Sequence, residues 1–408
     1  MQRERTQSAL SHDILAPVRA QGPELVSGSG AELFDAEGRR YIALNELSVC
    51  LGAGNRHFIE VMQQALSRPA QSGAVNPYKA RLYERLLEAT NGDFSYIHLT
   101  SSGSEAAEWA VKLARKLTGK TEVVSYWNSI HGRTQLSASM SGLPKRKTGY
   151  GPLDPGVLLT PYPDCLHCPF HCEPQSCRFA CLDFLSQQVT FGSAQEIAAV
   201  VIELCQGASH LCPPPGYLRA LRAWTRERGA LLIFDEIQSG MGRTGRMFRY
   251  QAEGVVPDFL LIGKALGNGL HIAGFLTSCQ PEKQDLYALS GGSGDAVLSC
   301  AAACAVFDEL CEGGLLDNIR TAGARLRAGL ERCTEKYDKA VQARGEGLAL
   351  ALECADEASA AAVHNALHRD GYLCGRTGTA LVFKPPFVLT PEQADEVAAA
   401  VDRAFAAL

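Results

Sequence analysis

Short apolar runs alternate with helical patterns through the middle of the chain. Residues 105–117 and 217–228 place apolar side chains on one face of a helix. Apolar strands that alternate with helices are typical of a parallel sheet covered on both faces. We therefore predict an α/β fold whose large domain has a mostly parallel sheet. The predicted buried strands are residues 96–100, 122–126, 198–204, 230–234 and 259–263.

The last hundred residues have a different pattern, typical of a smaller α+β domain. Two alanine-rich helices are predicted at about 297–312 and 319–336, followed by apolar runs at 345–353, 371–373 and 380–383. Thr390, Pro391 and Gln393 then mark the start of a final helix, as N-cap, N1 and N3. We predict three parts: an N-terminal segment (1–45) packing with the small domain, a large domain (46–305) and a small domain (306–408).

Composition and charge exclude several classes of partner. The chain has 408 residues, 46% of them hydrophobic and 20% charged, with a formal charge of -5. That charge carries no electrostatic signature of nucleic-acid binding. No apolar run is long enough to span a membrane, and the polar start MQRERTQSALSHD lacks a signal-peptide core. We expect a cytoplasmic protein without a nucleic-acid or membrane partner.

Two residues with complementary chemistry follow apolar strands. Asp235 ends one run and Lys264 follows another, at the sheet edge where open α/β folds bind ligands. Alone, such an aspartate is often a structural partner, and such a lysine often extends to the surface. Together they suit pyridoxal phosphate, because the carboxylate keeps the pyridine nitrogen protonated and the lysine forms a Schiff base.

Two glycine-containing turns are candidate phosphate sites. Ser102-Gly103-Ser104 lies between a strand and a helix, so it presents backbone N–H groups to a phosphate, although a simple helix cap fits it equally. The segment 240–245 matches G-x-G-x-x-G, but residues 246–251 resemble an exposed loop rather than an amphipathic helix. This disfavours a nicotinamide site.

The motifs together resemble the class-III aminotransferases, the family of ornithine, acetylornithine and 4-aminobutyrate aminotransferases. The resemblance runs over nearly the whole chain through SSGSEAAEWAVKLAR, HGRT, ELCQG, LLIFDEIQSGMGRTG, PDFLLIGKALGNG and GGSG. It implies a pyridoxal-phosphate enzyme of fold type I, working as a homodimer with sites built from both subunits. An amine or amino acid, including one that reacts at an ω-amine, would donate the amino group to a keto acid.

The resemblance also implies roles for individual residues. Lys264 corresponds to the Schiff-base lysine and Asp235 to the partner of the pyridine nitrogen. Gln238 would contact the ring's phenolic oxygen, while Gly103 and Ser104 would hold the phosphate.

Four further positions lie in or near the same motifs. Ser293 is near a phosphate-binding threonine that reaches in from the neighbouring subunit, displaced by one residue. His131 and Arg133 belong to His-Gly-Arg-Thr, whose arginine contacts substrate in some members. Ile130 replaces the aromatic residue that usually stacks on the cofactor ring.

The substrate motifs depart from the family pattern. Val382 occupies the position of the arginine that clamps an α-carboxylate in many members, and Lys384 directly precedes the prolines. A lysine can attract a carboxylate but lacks the bidentate fork of an arginine, so Arg133, Arg376 and Lys384 are all candidate contacts for an acidic substrate. Without that arginine, Glu203 is either free for a substrate cation or held in a buried hydrogen-bond network. The F-K-P-P sequence at Lys384 also resembles that of the amino-phosphate lyases. A racemase, epimerase or lyase is therefore the alternative to an aminotransferase.

A dense cysteine cluster lies outside these motifs. Without a secretion signal, the fifteen cysteines are interpreted as thiols or ligands rather than disulfides. Two close pairs separated by a short loop suit a tetrahedral zinc site, and a packed cysteine-rich loop is the alternative. The predicted zinc ligands are Cys165, Cys168, Cys177 and Cys181.

Overall fold

The computed structural model describes residues 13–14, 22–69, 76–282 and 294–408. Its strands are β1 (Leu25–Ser29), β2 (Glu32–Asp35), β3 (Arg40–Leu44), β4 (Tyr96–Thr100), β5 (Glu122–Tyr126), β6 (Val157–Thr160), β7 (Ile197–Glu203), β8 (Leu231–Asp235), β9 (Phe259–Ile262), β10 (Ala273–Thr277), β11 (Ala340–Glu346), β12 (Ala349–Cys354), β13 (Tyr372–Thr377) and β14 (Ala380–Phe383).

The α-helices are α1 (Arg56–Leu66), α2 (Pro77–Ala89), α3 (Gly103–Thr118), α4 (Gln135–Met140), α5 (Ala180–Gly192), α6 (Tyr217–Glu227), α7 (Tyr250–Glu253), α8 (Val297–Cys311), α9 (Leu315–Lys336), α10 (Glu357–Arg369) and α11 (Pro391–Ala406). Short 3₁₀ turns cover Pro144–Arg146 and Lys264–Gly267. In the part of the chain described, no helix is long and apolar enough to cross a membrane.

The first of two seven-stranded sheets has the strand order β4-β10-β9-β8-β7-β5-β6. Pairs β5–β6, β5–β7, β7–β8 and β8–β9 are parallel, and β10 is antiparallel to both β4 and β9. Every residue of β7 is buried, as expected for a central strand covered on both faces. The predicted α/β class with a mostly parallel sheet is confirmed.

The second sheet combines strands from both ends of the chain. Its order is β1-β2-β3-β13-β14-β12-β11, and β3 pairs in parallel with β13 while its other pairs are antiparallel. Helix α11 covers it and begins as predicted, with a capping box between Thr390 and Gln393. The three-part division at residues 45 and 305 stays a prediction.

Arg243 connects the two sheets. Its side chain has no exposed surface, and its Nη1 donates to the carbonyls of Leu348 and Pro385. Its Nη2 lies 3.3 Å from the carbonyl oxygen of Glu46. Because these acceptors belong to segments flanking the second sheet, a residue of the G-x-G-x-x-G segment ties the two sheets together.

The apolar run 345–353 contains a turn, because β11 and β12 form a hairpin that turns between Glu346 and Ala349. One local expectation was wrong. Residues 246–251 are not an exposed loop: Arg249 is 4% exposed and Tyr250 2% exposed. Both backbone N–H groups donate to the buried carboxylate of Glu236, a contact between distant segments that local polarity does not reveal.

Candidate active site

Six chain segments leave the mostly parallel sheet at the same edge. Strands β4, β5, β6, β7, β8 and β9 all run in one direction, so their carboxyl ends meet there. Glu203 and Asp235 are in register at the ends of neighbouring strands, and Lys264 follows the next strand by two residues. This edge therefore gathers the ionisable residues that the sequence assigned to chemistry.

Lys264 is held in a conformation that lysine seldom adopts. Its φ of +46° lies in the left-handed region, a strained geometry that recurs at functional sites. Its Nζ donates to Oε1 of Gln238 over 3.1 Å. Burial lowers the pKa of Lys264, although the negative charges of Asp235 and Glu203 act to raise it. The amine is therefore a better nucleophile near neutral pH than an exposed lysine.

Asp235 and His131 form a buried pair beside Lys264. Oδ2 of Asp235 lies 2.7 Å from Nδ1 of His131, and the histidine side chain is fully buried. Burial acts to lower the pKa of His131, but the hydrogen bond and charge of Asp235 outweigh it, so the pKa is raised. The backbone N–H of His131 donates to Oγ of Ser141. The imidazole thus orients the carboxylate, a partnership that the motif did not reveal.

Glu203 lies in a hydrogen-bond network. Its Oε2 accepts from the backbone N–H of Ile130 over 2.9 Å, and its Oε1 accepts from that of Gly207 over 3.0 Å. Burial raises the pKa of this carboxyl. Of the two alternatives for Glu203, the geometry favours the buried network over a free substrate contact.

Gly207 organises the site, although the sequence assigned it no role. Its carbonyl accepts from Nε2 of Gln238 and from Nζ of Lys384, each over 3.0 Å. A Cβ at Gly207 would lie 2.5 Å from Oε1 of Gln238, so any larger residue here would displace the Gln238 amide. Lys384 is 8% exposed, and burial with the charges of Lys264 and Arg243 lowers its pKa to about 8.

The start of α3 supplies the predicted phosphate turn. Ser102 caps the helix by accepting from the backbone N–H of Glu105, so the N–H groups of Gly103 and Ser104 have no acceptor within the helix. A Cβ at Gly103 would lie 2.9 Å from Cδ1 of Ile237, in the loop after β8. Oγ of Ser104 accepts from the backbone N–H of Arg133, whose side chain is exposed.

Two sequence predictions, Ser293 and the zinc site, are not confirmed by the structure. Ser293 lies outside the described residues. The four predicted zinc ligands are free thiols that line one cavity of about 20 Å³, yet their sulfur atoms are not gathered within ligand distance. Zinc at the cysteine cluster is therefore not confirmed.

The donor set fits a phosphorylated pyridine aldehyde. A half-buried lysine of lowered pKa, a buried carboxylate, and a helix start with free backbone N–H groups meet at one edge. Nε2 of His131 is buried and has no hydrogen-bond partner among the described residues. Lys264 would form the covalent link, Asp235 would face the ring nitrogen, and the amides of Gly103 and Ser104 would face the phosphate.

Comparisons with known proteins agree with this chemistry. The family model "aminotransferase class-III" matches residues 20–405. The acetylornithine aminotransferase of Pseudomonas putida is 34% identical over 403 residues, covering 96% of this chain and 93% of that protein. The diaminobutyrate–2-oxoglutarate aminotransferase of Rhizobium meliloti is 32% identical over 436 residues, covering 99% and 91%.

Solved structures show the same fold. An (S)-enantioselective omega-transaminase from Thermomicrobium roseum superposes with a TM-score of 0.89 at 28% identity, over 100% of this chain and 98% of that one. A pyridoxal-phosphate-bound amine transaminase from an uncultivated Pseudomonas species gives 0.88 at 27% identity, over 96% of each chain.

Proposed function

The chain belongs to the class-III aminotransferases, which use pyridoxal phosphate, and we propose that its amino donor reacts through an ω-amine, remote from any carboxylate. The observation that carries this proposal is the missing α-carboxylate clamp. Val382 is 1% exposed in β14, and the only nearby candidate cation in that segment, Lys384, donates to the carbonyl of Gly207. A donor whose reacting carbon bears no carboxylate needs no such clamp.

Lys264 and the Asp235–His131 pair divide the proton chemistry. Pyridoxal phosphate, when bound, supplies an aldehyde that condenses with amines and a ring that accepts electrons. Lys264 would hold the cofactor covalently and, once released, would take the proton from the donor carbon with its amine of lowered pKa. Asp235, kept oriented by Nδ1 of His131, would hold a proton on the ring nitrogen.

The remaining contacts position the cofactor and the acceptor. Gln238, whose Oε1 accepts from Nζ of Lys264, would contact the phenolic oxygen, and the N–H groups of Gly103 and Ser104 would bind the phosphate. Ile130 would cover the ring with an aliphatic rather than an aromatic side chain. We assign exposed Arg133, beside Ser104, to the keto-acid carboxylate.

A single-turnover experiment tests the donor class. The enzyme with bound cofactor is mixed with one donor and no keto acid, and the spectrum reports conversion of the cofactor to its amino form. Diaminobutyrate and N-acetylornithine should convert it lastingly, and 2-oxoglutarate or pyruvate should reverse the change. The Lys264→Ala variant should give no turnover while still binding the cofactor without a covalent link.

The outcomes separate the donor class from the reaction type. If leucine, an α-amino acid without a distal amine, converts the cofactor as fast as diaminobutyrate and N-acetylornithine do, the ω-amine proposal is wrong. The enzyme would still be an aminotransferase. If the cofactor returns unaided while the donor is racemised or loses a group, the racemase or lyase alternative is correct.

We further infer a cytoplasmic homodimer in which Ser293 reaches the partner's phosphate site. Sedimentation of the enzyme with bound cofactor tests the dimer. Ser293→Ala should weaken cofactor binding in the dimer, and an unchanged dissociation constant would exclude that role.

Zinc at the cysteine cluster also remains a proposal. Its support is that Cys165, Cys168, Cys177 and Cys181 line a single cavity of about 20 Å³, the volume of one small ligand. Elemental analysis should find zinc in the wild type and less of it in Cys165→Ser/Cys177→Ser. Equal zinc content in both proteins would exclude the cluster as a site.

A further inference from the structure

Two histidines and a cysteine meet where helix α10 packs on strand β13, in the second sheet. His364 and His368 are four residues apart, so they lie on one face of the helix. Their ring centroids are 4.1 Å apart. Cys374, 3% exposed in β13, completes the group.

The three side chains form a compact ligand set. One ligand atom from each residue lies within 4.8 Å of the other two, and no other trio of His, Cys, Asp or Glu in the residues described is equally close. The edges of a tetrahedral zinc site with imidazole and thiolate ligands are roughly 3.3–3.8 Å. Small side-chain rotations would therefore bring the three atoms onto one ion.

The surroundings orient one histidine as metal sites require. Nε2 of His368 lies 2.7 Å from the carbonyl oxygen of Cys374, so its N–H donates there and Nδ1 keeps its lone pair. Metal-binding histidines almost always make such a second hydrogen bond. His368 and Cys374 also line a cavity of about 860 Å³, which admits water as a fourth ligand.

We propose that His364, His368 and Cys374 form a zinc site on the small domain, separate from the active site and from the cysteine cluster. Two imidazoles and a thiolate are the donors that zinc prefers, with water in the fourth position. On binding, the thiol gives its proton to solvent as the zinc–sulfur bond forms. The ion would tie α10 to β13, and so stabilise the small domain rather than take part in amino transfer.

Cobalt(II) titration tests the site, because cobalt(II) in a tetrahedral thiolate site absorbs in the red, beyond the cofactor bands. The background is the enzyme with bound cofactor carrying Cys165→Ser/Cys177→Ser, which removes thiols of the cysteine cluster. We expect about one cobalt per chain and visible d–d bands. Adding His364→Ala or Cys374→Ser should abolish the bands and weaken binding at least about 100-fold.

The controls distinguish this site from other causes of binding or loss. His271→Ala, an exposed histidine elsewhere, should leave the titration unchanged. Retained aminotransferase activity shows that each variant is folded, and His364→Ala lies on a half-buried helix face where folding is least at risk. Absence of cobalt binding in the background protein, or binding that survives both ligand substitutions, would overturn the proposal.

Discussion

Replacing Lys384 by methionine should stabilise the protein at neutral pH. The ammonium is 8% exposed, and its pKa falls from 10.5 to about 8 in the folded chain. Because the unfolded chain binds this proton more tightly, the ammonium destabilises the fold below pH 8. Stability then rises with pH between about 8 and 10.5.

The magnitude follows from the same two pKa values. At 1.36 kcal/mol per pKa unit, the lowered pKa of Lys384 reduces the free energy of unfolding by about 3 kcal/mol at pH 7. Methionine loses the hydrogen bond to the Gly207 carbonyl, which costs about 1 kcal/mol, since Gln238 still donates to that oxygen. Lys384→Met should therefore be about 2 kcal/mol more stable at pH 7 and roughly equal to the wild type at pH 10.

Urea unfolding measures this difference. Wild type and variant are compared at pH 7 and pH 10, at one protein and cofactor concentration, with exposed Lys145→Met as the control. Subtracting the curves removes the other groups that titrate in the same range. A variant less stable than the wild type at pH 7, or a difference that does not change with pH, would refute the burial argument.

Three further substitutions test the site and the core. Gly103→Ala should raise the dissociation constant of the cofactor about 10-fold, because the added Cβ would lie 2.9 Å from Cδ1 of Ile237. Gly192→Ala is the control and should leave that constant unchanged, since its Cβ would meet nothing within 4 Å. Arg344→Ala should lower the free energy of unfolding in urea by about 3–5 kcal/mol, because it leaves the buried carboxylate of Glu353, 2.6 Å away, without its partner. A double variant Arg344→Ala/Glu353→Ala that is no more stable than Arg344→Ala alone would contradict this. Arg243→Met should cost about 2–5 kcal/mol, since two buried carbonyls lose their donor, and a loss below about 0.5 kcal/mol would count against it.

Many of the elements, and the positions of Asp235 and Lys264 at strand ends, could be predicted from the sequence. Strand β5 matches its predicted range, and helix α6 ends one residue before its predicted end. Asp235 and Lys264 were placed at strand ends because an apolar run and the residue that ends it are neighbours in sequence. Local signals of this kind act over a few residues, which is why periodicity and capping residues suffice to locate them.

Only the tertiary structure decided how the site residues are paired. Three pairings depend on contacts across tens to hundreds of residues: Lys384 with the Gly207 carbonyl, Ile130 with Glu203, and His131 with Asp235. The Gly207 carbonyl illustrates the reason: every residue carries a backbone carbonyl, so the sequence cannot show which one will face two buried donors. Burial then sets the charge of each group, and burial is a property of the packed fold.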